Sequence, residues 1–235
     1  MDPITANLPG SQLALDLLAP RQATLANFVV GRNQEALDAL ERLLAGELPE
    51  PIVYLWGAPG CGRSHLATAL AATPTGWRWQ AAAAPAAPGV AVVDDIEEVH
   101  DERAQVALFN RLNAVRETGW TQADAGHGRI GCLVTGSAAP AQLDLRADLR
   151  TRLAWGHVFQ LQLLDDAEKA EFLRVHAAAR GATVSPELIT YMLFNLPRDL
   201  RTLAAALDAL DRFALARQRP LTVPLLKTWL NQSNP

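Results

Sequence analysis

The chain has 235 residues, of which 49% are hydrophobic and 20% are charged, and its formal net charge is −4. This composition is typical of an ordinary globular protein that buries a core, and the acidic balance argues against a protein that coats nucleic acid nonspecifically. Two cysteines are too few for a disulfide framework, and neither a membrane-spanning run nor an export signal is visible, so we expect a cytoplasmic protein that does not bind membranes.

The first 22 residues have the pattern of a flexible arm with one short apolar island, Gln12–Leu18. A helix is expected from Asn33 onward, because Ala36, Leu37 and Leu40 lie on one stripe at helical spacing. We expect three parts: an arm over 1–22, an α/β domain over 23–163 and a helical domain over 164–235.

Four apolar runs have the pattern of buried parallel strands, and patterned helices separate them. These runs are Ile52–Trp56, Val90–Asp94, Cys132–Thr135 and Val158–Leu161. A fifth strand is expected at Gly76–Gln80, before an alanine- and proline-rich run over 81–88 that has no evident role. Strands that alternate with helices predict βαβ units. The predicted fold class is α/β, with a five-stranded parallel sheet.

The sequence GAPGCGRSH follows the first of these strands and opens a helix-like segment. This is the form of a phosphate-binding loop, in which glycines let backbone N–H groups face a phosphate and the helix N-terminus favours negative charge. An arginine, Arg63, stands where a lysine is usual, but only two of the 21 basic residues are lysines. We expect the nucleotide to be bound by Gly57, Pro59, Gly60, Cys61, Gly62, Arg63, Ser64 and His65.

Two further strands end in polar side chains. Asp94 and Asp95 have the form of a Walker B segment, in which Asp94, together with Ser64, would hold Mg²⁺ and Asp95 would activate water. The side chain of Asp95 is one methylene shorter than the usual glutamate, which limits its reach as a general base. Thr135 and Ser137 are either γ-phosphate contacts at a sensor 1 position or a simple serine/threonine turn.

Arginines stand at two other informative places. Arg150 and Arg152, in LRTRLAWG, are either surface charge or groups that reach the γ-phosphate on a neighbouring subunit. From about residue 164 the pattern is helical, with Asp165 predicted to cap the first helix. Arg198 and Arg201 lie at the start of the third of these helices, where a sensor 2 arginine would contact the phosphates.

Together these segments resemble the AAA+ ATPases and, within them, the DnaA branch. TRLAWG is similar to the arginine-finger box of DnaA, which implies that Arg152 is the finger, although Arg150 stays open. DLRTL is similar to sensor 2, which gives that role to Arg201. FVVGRNQEA is similar to the segment that lines the adenine pocket, which implies contacts from Phe28, Val30, Gly31 and Asn33.

QLALDL resembles the peptide that docks on the DNA polymerase sliding clamp. With GRSH in the phosphate loop, and no segment resembling the DNA-binding module of DnaA, the chain is similar to the Hda family of DnaA inactivators. This implies ADP or ATP with Mg²⁺, weak intrinsic ATPase activity, no strong direct DNA binding and a possible homodimer. It also implies negative regulation of replication initiation, through hydrolysis of the ATP bound to DnaA. The clamp contacts would come from Gln12, Leu13, Leu15 and Leu17.

Two other classes of protein stay open. A DnaA-like DNA-binding initiator or helicase-loader ATPase would carry a basic stripe or an added DNA-binding module, and the net charge of −4 counts against it. A self-sufficient P-loop enzyme, such as a small-molecule kinase, would have lysine in place of Arg63 and a substrate lid inside the α/β domain.

Overall fold

The computed structural model describes residues 23–118 and 130–232. These residues fall into two compact units that divide after residue 163. The predicted clamp-binding residues Gln12, Leu13, Leu15 and Leu17 lie outside the described residues.

The first unit is an α/β domain built on a five-stranded sheet in the order β2-β3-β4-β1-β5, with every neighbouring pair parallel. The strands are β1 Ile52–Trp56, β2 Gly76–Arg78, β3 Gly89–Val93, β4 Ile130–Gly136 and β5 His157–Gln160. The helices of this unit are α1 Gln34–Ala45, α2 Arg63–Ala71, α3 Glu102–Thr118 and α4 Ala147–Trp155. The predicted α/β fold class is confirmed.

The strands read as continuous apolar runs because helices cover both faces of the sheet. Along β1 the side chains alternate between two hydrophobic clusters: Val53 and Leu55 enter one, and Ile52 and Tyr54 enter the other. The first cluster also contains side chains of α1 and α2, and the second contains side chains of α3 and α4. Because all strands are parallel, the loops after β1, β3 and β4 emerge at the same edge of the sheet.

A buried arginine accounts for the alanine- and proline-rich run over 81–88. Arg111, on α3, is 1% exposed, and its guanidinium carbon lies 5.4 Å from the ring centre of Trp77. Burial lowers the pKa of Arg111 from its ordinary value. The guanidinium donates hydrogen bonds to the carbonyl oxygens of Pro85, Ala87, Gly89 and Gly131. The run is therefore held against the sheet by a charge that lies far from it in sequence.

The second unit contains four helices: α5 Asp166–Ala178, α6 Pro186–Asn195, α7 Leu200–Arg217 and α8 Val223–Gln232. Asp165 and Glu168 form the predicted capping box at the start of α5, and Ser185 caps α6. Asp208 on α7 lies within hydrogen-bond distance of the ring of His176 on α5 and forms an ion pair with Arg180, just after α5. These contacts link α5 to α7. Within the described residues, none of the helices is both long enough and apolar enough to cross a bilayer.

Candidate nucleotide-binding site

The loop between β1 and α2 has the geometry of a phosphate cradle. Gly60 and Gly62 have φ of +85° and +101°, which side chains rarely adopt. A Cβ at Gly62 would lie 2.6 Å from the ring of Phe28, so this close approach also excludes a side chain. Gly62 is the N-cap of α2 and offers no side-chain acceptor, so the first-turn N–H groups of the helix receive no cap. The cradle therefore fits an anion.

Arg63, the first residue of α2, points to the end of β3. Its Nη1 lies 3.1 Å from Oδ1 of Asp95, and the Arg63 side chain is 11% exposed against 42% for Asp95. That Nη1 is buried and makes no hydrogen bond of ordinary geometry within the described part of the chain. A guanidinium nitrogen with a charge partner but no directed acceptor is a group that a phosphate oxygen would satisfy.

Thr135, at the end of β4, fixes the position of both acids. It is fully buried; its Oγ1 donates to Oδ1 of Asp94 at 2.8 Å and accepts from the backbone N–H of Asp95 at 2.8 Å. The strand β3 ends at Val93, just before Asp94, and Asp95 has a left-handed backbone with φ of +48°. Thr135 therefore positions Asp94 and Asp95, and its hydroxyl hydrogen is already donated to the Asp94 carboxylate.

Ser137, the second candidate sensor residue, is also engaged. Its Oγ and its backbone N–H donate to Oε1 of Glu97 at 2.7 and 2.5 Å. Burial alone would raise the pKa of Glu97, but these hydrogen bonds and the charge of Arg63 lower it overall. Burial, together with the nearby Asp94 and other acids, raises the pKa of Asp95, against the opposing effect of Arg63.

The segment predicted to line the adenine pocket lies beside the cradle. The Phe28 ring lies 5.8 Å from the ring of His65, and Nε2 of His65 lies 3.0 Å from the carbonyl oxygen of Thr24. Asn33 is buried, and its carboxamide bonds the backbone N–H and C=O of Gln162 at 2.7 and 3.0 Å. Asn33 therefore ties this segment to the chain after β5 and has its side chain occupied.

Other predicted binding residues surround the same loop. Pro59 and Ser64 are exposed, whereas Cys61 is buried in the core cluster beneath the loop. Val30 packs against that cluster, and Gly31 has φ of +48°. No group of three or more His, Cys, Asp or Glu side chains arranged to hold a metal occurs in residues 23–118 and 130–232.

The two candidate finger residues on α4 have different surroundings. The guanidinium carbon of Arg152 lies 3.7 Å from the ring centre of Trp155 and 5.3 Å from that of Phe109. Its Nε is buried without a hydrogen-bond partner, and the guanidinium has no carboxylate partner among the described residues. Arg150 instead donates to the carbonyl oxygen of Leu143 at 3.4 Å. Trp155 is 40% exposed and also contacts Arg116, at 3.9 Å.

The two candidate sensor 2 arginines of the helical unit also have different surroundings. Arg201 is the second residue of α7 and is exposed. Arg198 lies just before α7, with its Nη1 3.7 Å from Oδ2 of Asp166 and its guanidinium 5.8 Å from the ring of Phe194.

Comparisons with known proteins agree with this architecture. The family model of the Hda lid domain matches residues 166–230. Domain III of Thermotoga maritima DnaA has a TM-score of 0.65 at 16% identity, over 91% of this chain and 98% of that one. A DnaA structure bound to AMPPCP and single-stranded DNA has a TM-score of 0.63 at 17% identity, over 84% of this chain and 68% of that one. A mutant of Thermotoga maritima RuvB has a TM-score of 0.64 at 16% identity, over 90% and 72% of the two chains.

Residues 166–230 match the Hda lid domain, and the chain as a whole has an AAA+ fold like that of DnaA. The match to the lid-domain model covers α5 to α8, and the structural likeness extends over the α/β domain as well.

Sequence reasoning missed three features of the candidate site. Glu97 holds Ser137, Tyr54 donates its hydroxyl to the carbonyl oxygen of Ala138 at 2.7 Å, and the exposed side chain of Leu163 approaches Gly60. Two of these contacts join residues 40 and 84 positions apart, so no local pattern could have revealed them. The one available signal for Glu97 was its position in an acid-rich segment, two residues after Asp95.

Proposed function

We propose that the chain binds ADP or ATP together with Mg²⁺. Support comes from the glycine-rich loop Gly57–Gly62, in which close approaches exclude a Cβ at Gly57 and Gly62, and from the buried Arg63 nitrogen without a directed acceptor. Ser64 and Asp94 would hold Mg²⁺, which neutralises phosphate charge when it is bound. Phe28 and Val30 would supply the apolar wall for the base, and Arg201 the sensor 2 contact. Calorimetric titration is expected to show tighter binding of ADP than of ATP, because the arginine fork is less suited than lysine to the γ-phosphate.

The second part of the proposal concerns a partner. The chain is a negative regulator of replication initiation in the cytoplasm that stimulates hydrolysis of the ATP held by DnaA, with Arg152 as the arginine finger. The observation that carries this proposal is the aromatic support of a guanidinium that has no carboxylate partner in the described structure. Stacking uses the face of the guanidinium and leaves N–H donors at its edge for a phosphate. Arginine fingers contribute about 10³–10⁵ in rate.

Replacing the finger tests this proposal. Arg152→Ala is expected to keep ADP affinity and to lose the stimulation of DnaA-bound ATP hydrolysis in a single-turnover assay. Arg150→Ala is the matched control on the same helix and should stimulate normally. If the two variants exchange behaviour, Arg150 is the finger; if both stimulate like the unchanged chain, the finger proposal is wrong.

The third part concerns the sliding clamp. The peptide QLALDL would dock on the clamp through Gln12, Leu13, Leu15 and Leu17, and its resemblance to clamp-binding peptides is the only support. Replacing Gln12, Leu13 and Leu17 by alanine should abolish co-elution with the clamp. Co-elution that is unchanged by the three substitutions would rule out this docking site.

A DNA-binding initiator or loader is the second candidate function. It is favoured by one observation, that a similar DnaA structure is bound to single-stranded DNA. The net charge of −4 favours the regulator instead. A mobility-shift titration with duplex and single-stranded DNA separates the two, because the regulator is expected to give no shift at moderate salt.

A further inference from the structure

We propose that the Arg63–Asp95 ion pair is an internal competitor of the nucleotide: Asp95 weakens phosphate binding by engaging the guanidinium that the phosphate needs. This inference rests on the proposed nucleotide site. It concerns the regulation of that site and assigns Asp95 a role other than water activation.

The position of Asp95 is fixed by the fold. Its N–H is bonded to the fully buried Thr135, and its left-handed backbone turns the chain sharply at the end of β3. The carboxylate is therefore held at the first residue of α2, where the phosphate cradle lies. A flexible surface pair would lose side-chain entropy on forming, but here the backbone has already restricted one partner.

The contact leaves Arg63 open to a better acceptor. The 3.1 Å approach of Nη1 to Oδ1 of Asp95 is an ion pair without ordinary hydrogen-bond geometry. A phosphate can accept two parallel N–H bonds from a guanidinium and carries more negative charge than one carboxylate. Phosphate and Asp95 therefore compete for the same cation, and the phosphate is the stronger ligand.

Charge at this edge increases the cost of binding a phosphate. Acids near Asp95 repel its negative charge, whereas Arg63 attracts it. The acids concerned are Asp94, Glu97 and Glu98. When a phosphate takes Arg63, Asp95 loses its counter-charge and lies among these acids and the phosphate. Removing the Asp95 charge relieves both the competition and this repulsion.

A double-mutant cycle on ADP affinity tests the competition. Asp95→Asn is expected to tighten ADP binding about twofold to fivefold, the upper range of a partly exposed ion pair at close contact. In an Arg63→Gln background the same substitution should change affinity less than about twofold, since the competing pair is already lost. Repeating the titrations in EDTA keeps any effect on Mg²⁺ out of the result.

Thermal melting without nucleotide supplies a second readout. Asp95→Asn removes the attraction to Arg63 together with the cost of burying the Asp95 charge, and these two effects on stability oppose each other. The Tm of the nucleotide-free protein should therefore change little while its ADP affinity rises, whereas a purely structural role for the pair would lower both. Glu98→Gln is the matched control, because it removes a nearby negative charge that does not contact Arg63. It should tighten ADP binding less than Asp95→Asn does.

The outcomes separate this inference from the function on which it rests. ADP binding that Asp95→Asn leaves unchanged or weakens overturns the competition alone, as does an equal gain in both Arg63 backgrounds. If neither the unchanged chain nor Asp95→Asn binds ADP, the proposed nucleotide site is wrong and the competition is wrong with it.

Discussion

At the scale of single residues, Trp155 has a clear physical effect on its neighbour Arg152. The Arg152 guanidinium carbon lies 3.7 Å from the centre of the ring, and Arg116 lies 3.9 Å from it. A cation held on an aromatic face keeps its charge, whereas a carboxylate partner would neutralise it. Trp155 therefore restricts the rotamers of Arg152 without forming hydrogen bonds to its Nη donors, which suits the proposed arginine finger.

This arrangement predicts an effect of Trp155 on stimulation of DnaA. Trp155→Ala should reduce the single-turnover stimulation about twofold to thirtyfold, because a partly exposed cation–π contact is worth about 0.5–2 kcal/mol. Trp155→Phe keeps an aromatic face and should recover most of the activity. ADP affinity should stay the same in both variants, since neither touches the cradle. Equal stimulation by Trp155→Ala and the unchanged chain would contradict this positioning role.

At the scale of elements, the run over 81–88 depends on one helix. Its carbonyl groups at Pro85 and Ala87 are bonded by Arg111 of α3, which also bonds Gly89 at the start of β3 and Gly131 in β4. The guanidinium thus joins a loop, a helix and two neighbouring strands at one buried point. No carboxylate balances it in the described residues, so the carbonyl dipoles supply its stabilisation.

Removing this charge should be costly. Arg111→Met keeps much of the side-chain volume but leaves buried carbonyl groups without donors, and each such group costs about 1–3 kcal/mol. We expect the free energy of unfolding to fall by more than about 3 kcal/mol, measured by urea denaturation. Arg103→Met on the exposed side of α3 is the control and should change stability by less than about 0.5 kcal/mol. A similar small change in both variants would show that Arg111 does not hold the loop.

The strands and helices could be predicted because their causes are local. β1 and β4 are apolar throughout, since both of their faces are buried, and capping residues such as Asp165 and Ser185 mark helix starts directly. The conformation of the GAPGCG loop could be predicted in the same way, because its glycines allow the positive φ angles found at Gly60 and Gly62. Strand ends were less accurate: Asp94 was placed in β3, which ends at Val93. The left-handed turn at Asp95 is the reason.

The contacts that define the site could not be predicted from local patterns. Arg63 meets Asp95, and Thr135 meets both acids, only because parallel strands bring separate loops to one edge. Sequence reasoning gave Thr135 a choice between a phosphate contact and a turn, and gave Asp95 the role of a base. The geometry instead links these residues to each other. Asn33, which was expected to contact the adenine of the nucleotide, instead forms hydrogen bonds with backbone groups of Gln162.

At the scale of the whole molecule, two lines of support meet in one chain. The α/β domain has the fold of DnaA, and the helical unit matches the Hda lid domain. The phosphate cradle and the aromatic-supported Arg152 lie on different elements of the α/β domain, at the β1–α2 loop and on α4. In the proposed function, the chain would hold its own nucleotide at the first place and offer a guanidinium to another molecule at the second.

The most direct measurement follows the ATP bound to DnaA. Purified DnaA carrying labelled ATP is mixed with DNA-loaded sliding clamp, with and without this chain preloaded with ADP, and the labelled ADP on DnaA is counted over time. We expect the chain to accelerate conversion by about 10³-fold or more, as a finger supplied in trans does. Conversion at the same rate with and without the chain would contradict the proposed function.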